Sequence, residues 1–242
     1  TYMYYDMHKV IRTKGQYFNG YKIGKWTYYR DNSTISAEGV YENNDEEGEW
    51  LWYFDNGQIS AKEQYTNGLQ HGQDTSYHAD GTLASVRTYR HGNENGKTYY
   101  YLEGKLQYIR VYADDILLGY SYLDESGKEM PLQKYSKGDF TIKTFYQSGN
   151  PSHTSQLKNG YSHGTSEYYY PNGKIHIHKT FENGQLNGAF YKNYSTGKPK
   201  LKCNYADGDL NGAYTNYWPN GNVKSIVNYK LDEKYGWAYD YD

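Results

Sequence analysis

Glycine recurs at a constant step along this chain, at Gly24, Gly48, Gly72 and Gly96 and again at Gly164, Gly188, Gly212 and Gly236. A fixed period of this length points to a stacked-repeat architecture, in which each short unit buries its apolar residues against the next. Two units display the pattern: Gly48-Glu-Trp-Leu-Trp-Tyr-Phe-Asp-Asn-Gly57-Gln-Ile59 and Gly212-Ala-Tyr-Thr-Asn-Tyr-Trp-Pro-Asn-Gly221-Asn-Val223. A glycine opens the unit and an aromatic-rich run follows. A short turn then ends in a second glycine, and two residues later comes an aliphatic side chain such as Ile59, Leu83, Ile175 or Val223. Tyr41, Tyr65, Tyr89, Phe181, Tyr205 and Tyr229 all stand at one later position, the same distance beyond their opening glycines.

Both turns of the unit carry residues that tolerate positive φ. Asn56-Gly57, Asp80-Gly81, Asn172-Gly173 and Asn220-Gly221 mark the first. Asn19-Gly20, Asn67-Gly68, Asn159-Gly160, Asn183-Gly184 and Asp207-Gly208 mark the second. Such pairs are the chemistry of tight hairpins. The segments between them are too short for helices and rich in Tyr, Trp, Thr and Val, which suits strands. The opening glycines are architectural, serving either a close approach of chains or a positive φ. They lack the G-x-G-x-x-G pattern that precedes a phosphate-binding helix. The expectation is an all-β, elongated array of antiparallel hairpins over residues 1–242. About ten such units would give roughly twenty strands in one long, twisted, single-layer sheet on the order of 90 Å in length.

The 36% hydrophobic content and low mean hydropathy would by themselves suggest disorder. The 34 tyrosines argue for a fold, because each ring buries roughly 150–250 Å² while its hydroxyl stays hydrated. The core should therefore be thin and lined with tyrosine. A net charge of -2 offers no basic field for nucleic acid or anionic lipid. No apolar run is long enough to span a bilayer, so direct membrane insertion is not expected. Cys203 is the sole cysteine, which excludes a disulfide framework. The chain opens at Thr1 without a hydrophobic leader, as expected of a processed or trimmed chain.

The period slips between Gly96 and Gly164. Gly119 arrives one residue early after Gly96, Asp114-Asp115 replaces Asn-Gly, and Glu129, Met130 and Pro131 occupy an aliphatic strand position. Residues 114–155 thus read as irregular units, either drift or a bulge that shapes a surface.

Catalytic signals are lacking. His176 and His178 share a face of an expected strand and could chelate a metal, but no third ligand lies at a fixed spacing. Asp45-Glu46-Glu47 reads as a solvated turn, and there is no nucleophile elbow, phosphate loop or zinc motif. The expectation is a non-enzyme without cofactor or metal. Aromatics are the binding candidates, since residues on both faces of a single layer cannot all be buried: Trp26, Trp50, Trp52, Tyr100 and Tyr169.

The succession of opening glycine, aromatic strand, Asn-Gly turn, aliphatic residue and Tyr-x-Asn-Gly resembles the MORN repeat, in its bacterial type-2 variant. Gly48 to Gly68, Gly164 to Gly184 and Gly188 to Gly208 carry it, and it falters between Asp114 and Ser155. The resemblance implies a hairpin sheet with a binding or scaffolding role, and some bacterial members are antitoxin-like or immunity-like. The leading expectation is a non-catalytic, protein-binding scaffold. The alternative is a secreted or surface-exposed adhesive module that binds glycan or host protein. A bacterial, extracytoplasmic or surface location is favoured over the cytoplasm.

Overall fold

A computed structural model describes residues 1–241 other than Glu125, Lys137 and Gln147. The described residues form antiparallel strands joined by hairpins, with no helix. Two compact units divide the chain, Thr1–Ser121 and Tyr122–Asp242. The first is a meander from the strand Tyr2–Tyr5 to Ile116–Ser121, each strand pairing with its neighbours in sequence. The second holds a 10-stranded meander from Asp139–Phe145 to Glu233–Asp240. The strands therefore lie in two sheets, where one continuous sheet was expected. The physical reason lies in residues 122–138. There the strand pattern gives way to Glu129-Met130-Pro131, and Pro131 has no N–H to donate to a ladder. Among the described residues of that stretch, pairing is reduced to the bridge Leu123↔Glu129 and the two-residue strand Gln133–Lys134.

The two turns look alike in sequence and differ in geometry. At the second turn both central residues have positive φ, 51° at Asn67 and 73° at Gly68, which is the two-residue turn whose twist matches that of the strands. Asp114 and Asp115 adopt the same conformation, at 47° and 65°, so the replacement of Asn-Gly there leaves the turn intact. At the first turn only the glycine is left-handed: Gly57 has φ 81° and its N–H donates to the Phe54 carbonyl. The Asn56 side chain accepts from the Gln58 N–H at 3.0 Å, closing a three-residue turn.

The opening glycine has a third use. Within the strand Asp45–Tyr53, Glu38 pairs with Leu51 and Val40 with Glu47, so the later strand carries two extra residues, Gly48 and Glu49. Gly48 takes φ 69° in this bulge, and a Cβ there would meet nothing within 4 Å. Backbone conformation, not crowding, requires this glycine. Where the period shortens at Gly119, the bulge shrinks as well: Val111 pairs with Gly119 and Tyr112 with Leu117, leaving one extra residue. The slipped beat is a shortened bulge.

Successive units are laced by hydrogen bonds that repeat with the sequence. The hydroxyls of Tyr146, Tyr170 and Tyr194 donate to the carbonyls of Tyr169, Asn193 and Tyr217 at 2.7, 2.8 and 2.9 Å. Turn amides do the same, as from Gly68 to Glu46 and from Gly92 to Gln70. Tyrosine is abundant because it serves two ends at once, a ring for the sheet face and a hydroxyl for the next unit's backbone.

Candidate functional site

Pairing in register places one residue from each of ten strands in a single stripe across the first unit. The stripe runs Gly15, Trp26, Gly39, Trp50, Glu63, Asp74, Arg87, Thr98, Arg110, Tyr120. Its first half is packing. A Cβ on Gly15 would lie 2.2 Å from the Trp26 ring, and one on Gly39 2.2 Å from the Trp50 ring. Each indole thus lies flat on a glycine of the preceding strand. Tyr17 and Tyr41 meet Trp26 edge-on at 5.1 and 5.8 Å, and Tyr41 and Tyr65 close around Trp50 at 5.0 and 6.3 Å. Trp26 and Trp50 are buried. Burying a ring of this size against well-packed neighbours is worth roughly 3–5 kcal/mol on truncation.

The second half of the same stripe is ionic. The Glu63 carboxylate accepts hydrogen bonds from Trp52 Nε1 and the Tyr65 hydroxyl, both at 2.8 Å. Asp74 is buried beside it and accepts from the Gln64 N–H at 3.0 Å and from Gln70 Nε2 at 2.8 Å. Burial pushes the Asp74 carboxyl up to about 6; the Gln64 N–H opposes the shift and the Glu63 charge adds to it. A cavity of 50 Å³ opens here, walled by Glu63, Asp74, Ser76, Ser85, Arg87 and Tyr89. Arg87 stands exposed at its rim.

Two strands further along, Arg110 is buried beside the stacked rings of Tyr100 and Tyr108, at 5.2 and 5.7 Å from their centroids. Its guanidinium donates to the Tyr112 hydroxyl at 3.4 Å, its Nε has no partner, and among the described residues it pairs with no carboxylate. Cation–π attraction offsets part of the cost of burying it.

The five aromatics singled out from the sequence are dispersed by this arrangement. Trp26 and Trp50 are core, with their rings turned onto glycine rather than toward solvent. Trp52 shares their face and is 39% exposed. Tyr100 stacks on Tyr108 at 4.7 Å and forms a wall for Arg110. Tyr169 lies in the second unit, half-buried, donating to Glu167 Oε2 at 2.5 Å. Glu167 also meets His178 Nδ1 at 2.9 Å, and the His178 ring stacks on Tyr191, so this imidazole is engaged in packing and a hydrogen bond.

The ionic stripe is absent from the expectations drawn from sequence. Its signal is nevertheless present. Two residues after each opening glycine stand Trp26, Trp50, Asp74 and Thr98, and two residues before Tyr41, Tyr65 and Tyr89 stand Gly39, Glu63 and Arg87. Reading down those two positions shows aromatic giving way to charge. Only the register shows that the two positions form one stripe.

A family model of the MORN repeat variant matches residues 46–67, 162–183 and 210–231. Those segments run from just before an opening glycine to the second turn, so the repeats assigned by the model coincide with the hairpins of the fold. Among curated proteins no match is found. Among solved structures, a chain in the crystal structure of TcdB2-TccC3-Cdc42 is 10% identical, over 93% of this chain and 13% of that one, with a TM-score of 0.20. The likeness is too low to carry an argument.

Proposed function

We propose that this chain, which carries MORN-type repeats, is a non-catalytic binding module that grips a protein partner through the ionic half of the first unit's stripe. The observation that supports the reading is the change of chemistry along one face. Gly15–Trp26 and Gly39–Trp50 show what a stripe built for packing looks like. Glu63, Asp74, Arg87 and Arg110 replace it with charges; the buried ones cost stability on their own, and the set contributes most when a partner completes it. Tyrosines 65, 89, 100 and 108 flank those charges, and rings beside a desolvated arginine are the usual composition of an energetic hot spot. Specialisation as an antitoxin or immunity protein rests on the type-2 MORN resemblance.

The test is capture from the native source with immobilised wild-type chain and with Glu63→Gln/Arg87→Ala, both checked for equal melting temperature. A protein retained by the wild type and reduced at least about tenfold by the variant supports the reading, as loss of one charged contact of about 1.4 kcal/mol would give. Equal retention by both removes the stripe from the interface. A toxin-like product encoded next to the gene would support the immunity specialisation.

The adhesive reading has its own observation. Tyr235, Trp237 and Tyr239 are 66%, 79% and 50% exposed on the strand Glu233–Asp240. Binding on a glycan array that is lost in Trp237→Ala, with no protein captured, would favour it over the scaffold.

A further inference from the structure

In the second unit the corresponding stripe runs Ser155, Ser166, Lys179, Phe190, Cys203, Tyr214. Lys179 faces Ser166 on one side and Phe190 on the other. Lys192 faces Ile177 and Leu201, which puts it on the same side of the sheet and diagonal to Lys179. Two ammonium groups therefore stand together on an inward face. Lys179 lies over the Tyr168 ring at 5.6 Å and Lys192 over the Phe190 ring at 6.0 Å.

No anion accompanies them. From Pro151–Lys158 to Pro199–Ala206, the residues that alternate onto this face are serine, histidine, proline, aliphatic, aromatic, glycine, lysine and Cys203, with no Asp or Glu. Among the described residues neither lysine has an ion pair. Glu167 is on the opposite side of the sheet, facing His178. Burial, and next the charge of Lys192, hold the Lys179 ammonium below its usual range. Buried Cys203 completes the surroundings, its thiol pushed up to about 11 by burial, so it adds no negative charge.

Two like charges on a half-buried face, each lying over an aromatic ring, are costly as they stand, and a shared anion would offset both. We propose that Lys179 and Lys192 form a site for a compact oxyanion, the carboxylate or phosphate class. Ammonium groups act as point charges with rotatable donors, which suits either oxyanion without the bidentate geometry of arginine. This site is independent of the first unit's stripe.

The experiment is thermal unfolding of the full chain at pH 7 and constant ionic strength in sodium chloride, sodium phosphate, sodium acetate or hexaglutamate peptide, for wild type, Lys179→Met and Lys192→Met. Methionine keeps most of the apolar stem and removes the charge, so in chloride both variants should melt at or above the wild-type temperature. The wild type should show a saturable rise of about 4 °C or more in at least one oxyanion, abolished in both variants. Response to phosphate identifies a free phosphate as the source; response to hexaglutamate and acetate alone identifies acidic side chains of a macromolecule. Absence of a saturable rise in every oxyanion, or an equal rise in the variants, overturns the site. If one variant fails to fold, the other carries the same test.

Discussion

The two sheets use one hairpin and one register to different ends. Gly39 and Trp50 in the first unit correspond to Ser155 and Ser166 in the second, which face each other at the same place in the repeat. A ring on a glycine fills the first position, and two buried hydroxyl residues fill the second, where Ser166 meets His153 Nε2 at 3.3 Å. Further along, the first sheet carries acids and arginines together, while the second carries lysines alone. Backbone geometry is therefore indifferent to what lines the stripe, and each unit is free to put packing, balanced charge or unbalanced charge there. A repeat whose scaffold is set by its turns can vary its interior without losing its fold.

The largest break in this comparison should come from Trp50. Trp50→Ala should cost about 3–5 kcal/mol in chemical unfolding, while Ser166→Ala at the corresponding position, which removes one buried hydrogen bond, should cost about 1–2 kcal/mol. Equal costs would mean that the two stripes contribute alike. Next is a transplant. Gly39→Ser brings in the second unit's residue, and its Cβ would strike the Trp50 ring, at a cost toward the top of about 1–3 kcal/mol. Combined with Trp50→Ser the clash disappears, so the double variant should be more stable than the sum of the singles predicts.

Asp74 sharpens the contrast through pH. Its carboxyl is raised to about 6 from an ordinary 3.8, chiefly by burial. The folded state thus keeps the proton after the unfolded state has released it, and stability is lost as pH rises from about 4 to about 6. Asp74→Asn should lack that loss, so the variant's stability relative to wild type should climb across the window by on the order of 2 kcal/mol. A constant difference between pH 4 and 7 would show that Asp74 is not held neutral. Smallest is Gly48→Ala, where the new Cβ has room and only the left-handed backbone objects, for about 1 kcal/mol. A much larger cost would point to crowding instead.

The fold was readable because its determinants are local. Asn67-Gly68 and Asn56-Gly57 declare turns by the φ their residues tolerate, and the spacing between them is strand length. The sequence did not distinguish the two turn geometries, because Asn-Gly suits both. The break into two sheets was half visible, since the slip near Asp114 turned out to be a one-residue change in a bulge, while the loss of pairing lies at 122–138. Of the candidate residues, only Trp52 was placed where an exposed aromatic was expected. Trp50 and Trp52 have the same strand, the same face and the same residue type. One is buried because Gly39 beneath it leaves space for the ring and Tyr41 and Tyr65 close over it from neighbouring strands.

Turn chemistry and strand length, written into consecutive residues, determined by sequence alone that this chain folds as antiparallel hairpins on a regular glycine beat. The tertiary structure decided which aromatics became core and that Glu63, Asp74, Arg87 and Arg110 line up, as do Lys179 and Lys192. Those neighbours sit on different strands, far apart along the chain. Only hydrogen-bond register, with its two-residue bulge at the opening glycines, brings them onto one face.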